Sequence, residues 1–274
     1  MVITLLTDFG LHDEYVGVMK GVVLSILPSV RIVDLSHGIG PQDITAAAYM
    51  IFAAYPYFPK GTVHVVVVDP GVGSHRNMIA ASCDGHFFVA PDNGLLTKIV
   101  ESERFEQVVR ITNTDYFLPN ISRSFHGRDV FAPVGAHVAS GVGLEKLGHP
   151  VQSRDLVHLL ALDPDISLDG TLKGRVVTSD HFGNLITNIS EIHLMNICPK
   201  HLWHLLEITV GNHGIQGMKR CYSQVDVGMP LAVSGSRGYL EIAVNSGSAA
   251  ELLQFKNGQS LLHVQCKRPD TDVI

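Results

Sequence analysis

The sequence predicts an α/β protein: an N-terminal α/β domain with a mostly parallel central sheet flanked by helices, then a smaller all-β, barrel-like C-terminal domain. Three observations lead there. Strand-length and helix-period apolar segments alternate in the order βαβαβ up to residue 69. Four consecutive valines, Val65 to Val68, read as a strand buried on both faces, as parallel strands are. Beyond residue 165 short alternating apolar segments follow one another between glycine and asparagine turns, the pattern of a small barrel or sandwich. The expected boundary at 165 divides residues 1–165 from residues 166–274.

Each element has its own signal. Val2–Thr7 is the first strand. Asp13 is placed to cap a helix whose apolar positions Val16, Met19, Val22, Val23 and Ile26 recur at helical spacing, with Pro28 as its stop. Arg31–Leu35 is a strand, and Pro41–Tyr55 an alanine-rich helix with Pro41 and Gln42 in its opening turn. Thr62–Asp69 is the third strand, in a parallel set joined by right-handed crossovers. Met78–Ser82, Phe87–Ala90 and Glu106–Ile111 are short strands, and Pro91-Asp92-Asn93-Gly94 is a turn. A helix runs through Val130–Ala139 to Gly141. The stretch 148–170 reads as a connector, and Ser179–Asn188 as a polar turn. Leu172–Val177, Leu206–Val210, Leu231–Val233, Tyr239–Val244 and Ser260–Val264 are the strands of the second domain.

Composition narrows the function classes. The 274 residues are 46% hydrophobic and only 17% charged, enough apolar material for a sizeable core. A net charge of −6 without any basic run argues against nucleic-acid binding. Cys83, Cys198, Cys221 and Cys266 form no CxxC pair and fit reduced thiols in a cytoplasmic protein. No metal is expected: HExxH is absent, and His201 and His204 alone make a weak pair. The N-terminal segment reads as a strand rather than a signal peptide, and no apolar run is long enough to span a membrane.

Candidate chemistry gathers at strand ends. Val65 through Arg76 is an apolar strand running into a tight glycine turn, with Asp69 and Arg76 on either side of it; ligands of open α/β sheets bind at such carboxyl ends. Asp8, in Thr7-Asp8-Phe9-Gly10, suits ribose hydroxyls or simply a helix-entry turn. His126, in Ser124-Phe125-His126-Gly127-Arg128-Asp129, suits proton transfer or hydrogen bonding, or merely a cap. Ser234–Leu240 and Ala243–Gly247 are glycine-rich hairpin segments around a strand, with Arg237 offering a fork to a carboxylate. Walker A, GxGxxG and GxSxG patterns are all missing.

These segments, in this order, resemble the S-adenosylmethionine hydrolases, or hydroxide adenosyltransferases, which share a fold with the S-adenosylmethionine-dependent fluorinases and chlorinases. The matching stretches are Thr7–Gly10 with Tyr15–Gly21, Val68–Gly73, Phe125–Asp129, Asp180–Asn184, and Ser236–Leu240 through Asn245. The resemblance implies a homotrimer with sites at subunit interfaces, no cofactor, and S-adenosyl-L-methionine as substrate with adenosine as product. It implies that Asp69, Arg76 and His126 form the hydrolytic triad. It implies ribose contacts from Asp8, methionine and adenosyl contacts from Asp180, Phe182 and Asn184, and Ser236 and Arg237 near the amino-acid end. Asn245 and the backbone at Ser246 would read the adenine edge, and Tyr222 would stack on it. Gln42 and Gly127 stand where the halogenases carry tryptophan and serine, and Asp69 and His126 where they carry tyrosines, which favours water over halide as the nucleophile. Either Asp69 or His126 would orient the water or take its proton. A halogenase of the same substrate, and a non-catalytic sensor of adenosine or S-adenosylmethionine, are the alternatives.

Overall fold

The computed structural model describes residues 1–102, 104–160, 162–255 and 261–266. The chain divides into two compact units, Met1–Leu160 and Ala161–Ile274, a division five residues ahead of the expected position. The reason is local: the strand Asp165–Ile166 already pairs with Leu172 and Lys173 of the second unit.

In the first unit β1 (Val2–Thr7), α1 (Tyr15–Ile26), β2 (Arg31–Ser36), α2 (Ile44–Ala54) and β3 (Val63–Val67) follow one another. Then come β4 (Met78–Cys83), β5 (His86–Pro91), α3 (Thr97–Val100), β6 (Phe105–Ile111), α4 (Ala132–Ala139) and β7 (Gly148–Val151). The sheet order is β2-β1-β3-β5-β4-β6-β7. β2, β1, β3 and β5 are parallel, and β4, β6 and β7 continue the sheet antiparallel.

The valine run shows why this sheet is covered on both faces. Val65 to Val68 are at most 2% exposed. Val65 and Val67 pack with Met19 and Val23 of α1 and Val134 and Ala136 of α4. Val66 and Val68 point the other way, to Ala47 and Ile51 of α2 and Ile99 of α3. The two-residue side-chain period of a strand thus feeds two separate cores, so every valine is needed. α4 lies close on the sheet because Gly135 faces Val65; a Cβ there would stand 2.5 Å from Val65 Cγ2.

Three local expectations in the first unit are corrected. Asp13 does not cap α1: Glu14 precedes the helix, without a side-chain cap bond. α2 begins at Ile44, not Pro41, because Asp43 caps it by accepting from the Ala46 amide, while Gln42 adopts a left-handed φ of 64° that no helical turn permits. Gly148–Val151 is not connector but the edge strand β7, paired to β6; Pro150 is tolerated there because an edge strand has one unpaired side.

The second unit contains β8 (Asp165–Ile166), β9 (Leu172–Ser179), β10 (Leu185–Ser190), α5 (Glu191–Ile197), β11 (Leu206–Val210), β12 (His213–Gln216) and β13 (Met218–Lys219). β14 (Pro230–Ser234), β15 (Tyr239–Val244), α6 (Ala249–Leu252) and β16 (Leu261–Cys266) complete it. The strands run β12-β11-β16-β9-β10-β15-β14-β13, with β8 beside β9. β12 and β13, at opposite ends of that order, are joined by Gly217 alone, so the sheet curls almost into a barrel around Leu185, Leu206, Ile208, Leu240, Ile242 and Leu262. The expected polar turn at 179–188 is shorter than predicted: Leu185–Ser190 is a central strand whose Thr187 and Asn188 are buried because each is hydrogen-bonded, to the carbonyls of Leu240 and Leu162. Ser260, expected to open the last strand, lies outside the described residues.

Candidate active site

β3 ends at Val67, and the chain turns through Asp69–Ser74, where the Val72 N–H donates to the Asp69 carbonyl and the Ser74 N–H to the Gly71 carbonyl. Asn93 pins the start of this turn by donating to the Val68 carbonyl at 2.8 Å. Gly73 has φ +76°, and a Cβ on it would collide with the Arg123 carbonyl oxygen. That glycine lets the turn press against the segment that carries His126.

The His126 segment is fixed from below. The fully buried Asp129 carboxylate accepts from the Ser122 amide at 2.7 Å and from Arg128 Nε at 2.6 Å, and the Ser122 hydroxyl accepts from the Phe125 amide. His126 enters a π-helical turn, Gly127–Phe131, that leads into α4. Such turns widen the helix and re-aim the side chains at its entry.

Asp69, Arg76 and His126 meet. Arg76 Nε donates to Asp69 Oδ1 at 2.8 Å and Oδ2 at 2.9 Å, and its terminal nitrogen also bonds Oδ2. The same terminal nitrogen lies 3.0 Å from His126 Nδ1. The Asp69 and Arg76 side chains are 5% and 9% exposed, and the guanidinium lies over the Phe131 ring, 5.4 Å from its centroid. Guanidinium only donates, so His126 Nδ1 is the acceptor and the proton of the neutral imidazole sits on Nε2. Burial, then the Arg76 charge, hold His126 below its usual pKa against the opposing pull of Asp69 and Asp129. The ring is therefore neutral near pH 7.

Asp69 and His126 line a cavity of about 190 Å³ with Phe9, Tyr15, Val67, Val72, Ser124, Phe125 and Gly127. The rings of Phe9, Tyr15 and Phe125 lie 5.1 to 5.9 Å apart, centroid to centroid, and form one aromatic wall. Gly127 packs closely beneath it: a Cβ there would stand 3.1 to 3.3 Å from the side chains of Phe125, Met19 and Phe9. Asp8 and Gln42 are brought to each other: Asp8 Oδ2 accepts from the Gln42 amide at 2.8 Å.

In the second unit a concavity of about 290 Å³ is lined by Asp180, Phe182, Asn184, Tyr222, Ser236 and Arg237, six of the eight second-domain residues singled out from the sequence, and by Arg220, Cys221 and Glu241. Asp180 organises its own loop by accepting from the Phe182 and Asn184 amides and the Asn184 side chain, each at 2.9 Å. Phe182 is 74% exposed. Asn245 and Ser246 are not part of this lining. The Asn245 side chain instead donates to the Val225 carbonyl at 2.7 Å, and Ser246 holds a left-handed φ of 58°. Sequence reading missed the aromatic wall as a unit and missed Glu241. The latter had a signal: it is the single charge in the apolar strand Tyr239–Val244.

Comparison with known proteins now adds to this geometry. Residues 3–148 match the SAM hydroxide adenosyltransferase N-terminal domain and residues 174–262 the C-terminal domain of the same description. A protein of Thermus thermophilus named (R)-S-adenosyl-L-methionine hydrolase is 38% identical, covering 92% of this chain and 95% of its own. One of the same name from Methanocaldococcus jannaschii is 36% identical over 92% and 91% of the two chains. A fluorinase of Nocardia brasiliensis is 28% identical over 95% of each. A crystal structure of a Thermotoga maritima protein superposes with a TM-score of 0.87 at 35% identity, covering 96% of this chain and 99% of that one.

Proposed function

The chain belongs to the SAM hydroxide adenosyltransferase family, and from that premise we propose that it hydrolyses S-adenosyl-L-methionine to adenosine and L-methionine, an activated water attacking C5′. The observation that carries the reading is the buried Asp69–Arg76–His126 constellation at the rim of the aromatic-walled cavity.

The sulfonium makes C5′ an electrophile with a good leaving group. Water, with a pKa of about 15.7, is a poor nucleophile unless its proton has somewhere to go. His126 presents Nε2–H, a donor, because Arg76 occupies Nδ1. Asp69 is then the base in this reading: its carboxylate takes the water proton while Arg76 and the imidazole N–H steady the developing hydroxide. Alignment of water, C5′ and sulfur supplies a large share of the acceleration, about 7–11 kcal/mol for well-placed reactants. A halide would meet a carboxylate at the attacking position and be repelled.

The reading extends to Asp8 on the ribose and to the second-unit residues on the rest of the substrate. It needs no cofactor, and it includes the homotrimer that the resemblance implies, which light scattering tests, and the cytoplasmic location that cysteines without a CxxC pair suggest. Among the described residues no helix is long and apolar enough to cross a membrane. The relatives' name specifies the (R) sulfonium, so both epimers belong in the assay. The test is chromatography and mass spectrometry of S-adenosylmethionine incubated with the protein in heavy-oxygen water. Label on the 5′ oxygen of adenosine is the expected result. A halide-dependent 5′-halo product, or tight binding without any product, overturns it.

A further inference from the structure

We propose that Cys198 and Cys266 form a covalent modification site, a dithiol that a hydroperoxide oxidises to an intramolecular disulfide tying β16 to the end of α5.

The two residues are 68 positions apart, yet the fold puts their sulfurs in direct contact at 2.6 Å. The backbone arrangement agrees. On β16 the residues Leu262, Val264 and Cys266 alternate onto one face, and Leu262 and Val264 are fully buried in the core of the second unit. Cys266 extends that row opposite Leu206 of β11. Cys198 reaches the same core from the other side, at the end of α5, where it is fully buried. It is held in place: its amide donates to the Leu194 carbonyl at 2.9 Å, and its carbonyl accepts from the Trp203 indole at 3.0 Å. The other two cysteines stand apart. Cys83 is buried beside Tyr55 and Ser102, and Cys221 is exposed beside Ser223. Among the described residues neither touches a second sulfur.

The environments of the pair set the order of events. Cys266 is partly exposed and meets the oxidant first. Burial, then the neighbouring Cys266 thiol, push Cys198 up to about 12, so it stays a protonated thiol near neutral pH. The Cys266 sulfur attacks one peroxide oxygen; the O–O bond breaks, a water leaves, and Cys266 becomes a sulfenic acid. Cys198 then attacks that sulfur. The S–S bond forms, the S–O bond breaks, and the hydroxyl leaves with the Cys198 proton as a second water. Two electrons pass from the thiol pair to the peroxide. A transient disulfide of this kind suits a cytoplasmic protein, where thiols rest reduced.

The cross-link has a mechanical consequence. β16 lies between β11 and β9 in the curled sheet, so it joins the two halves of the near-barrel. Closing a long loop constrains the unfolded chain, and the oxidised second unit gains stability.

The experiment exposes the reduced, full-length protein to hydrogen peroxide. Remaining thiols are then alkylated in denaturant, and the protein is digested without reductant for mass spectrometry. The expected product is one peptide pair joined through Cys198 and Cys266, two hydrogens lighter than its parts, which dithiothreitol separates again. Cys83 and Cys221 are recovered alkylated. Cys266→Ser gives no cross-link, and Cys198→Ser leaves a Cys266 sulfenic acid that dimedone traps. Melting temperature is expected to rise by about 5–15 °C on oxidation of the wild type and not at all in Cys266→Ser. Recovery of Cys198 and Cys266 as alkylated thiols after peroxide overturns the proposal. So does their oxidation without a cross-link, pairing of either with Cys221 or with another chain, or a cross-linked protein that melts no higher than the reduced one. These readouts do not depend on the reaction proposed above, so a wild type without turnover removes the hydrolase reading alone.

Discussion

At the scale of single residues, the proposed reaction turns on the buried Asp69–Arg76 pair. Both side chains are nearly out of solvent, so each needs the other. Asp69→Asn keeps the shape but cannot take a proton; kcat is expected to fall about 10²–10⁴-fold while adenosine binding, measured by calorimetry, is kept. Wild-type turnover in that variant ends the role given to Asp69. Arg76→Leu strands a buried carboxylate and is expected to destabilise the protein by about 3–5 kcal/mol in denaturant titrations. Arg76→Lys retains a charge but not the fork that spans Asp69 and His126, so activity drops with a much smaller loss of stability. Equal stability losses in the two variants would show that charge is irrelevant there. The residue types of this trio were legible in the sequence, but apart from the resemblance their contact was not, because Arg76 and His126 lie fifty residues apart and only the fold joins them.

At the scale of elements, two turns must touch for the site to exist. The Asp69–Ser74 turn meets the segment before α4 only because Gly73 has no side chain. Gly73→Ala combines a disfavoured positive φ with a clash against the Arg123 carbonyl. The expected outcome is loss of turnover with the Asp69 turn displaced in a crystal structure, and full activity would contradict it. The strands of the second half were readable from alternation, the third strand from its unbroken valine run, and the helix through Val130–Ala139 was expected in place. β10 was hidden because Thr187 and Asn188 look like turn residues, and their burial depends on carbonyls contributed by Leu240 and Leu162. The start of α2 was misread because proline favours a first helical turn in general, whereas here Asp43 and the left-handed Gln42 set the boundary.

For the whole molecule, buried histidines link stability to pH. Burial, with the adjacent His86 charge, pushes the pKa of His64 from 6.5 down to about 3, and burial also lowers His86 and His137. The folded state keeps these rings neutral, so below about pH 6.5 the unfolded chain binds more protons and stability falls as pH falls. For His64 that loss continues down to about pH 3. Melting temperatures are therefore expected to decline already between pH 7 and pH 5, above the range where carboxylates such as Asp129 titrate. A flat profile across that interval would contradict neutral burial. The amino-acid order by itself determined the α/β and β halves, the doubly buried valine strand and the collinear motifs, because each depends on local periodicity and on residue types. Only tertiary structure decided that Arg76 bridges Asp69 to the acceptor nitrogen of His126, that the Cys198 and Cys266 thiols meet, and that a strand runs where a turn was expected. Those outcomes depend on which distant groups share hydrogen bonds in a dry interior, and no local pattern encodes that.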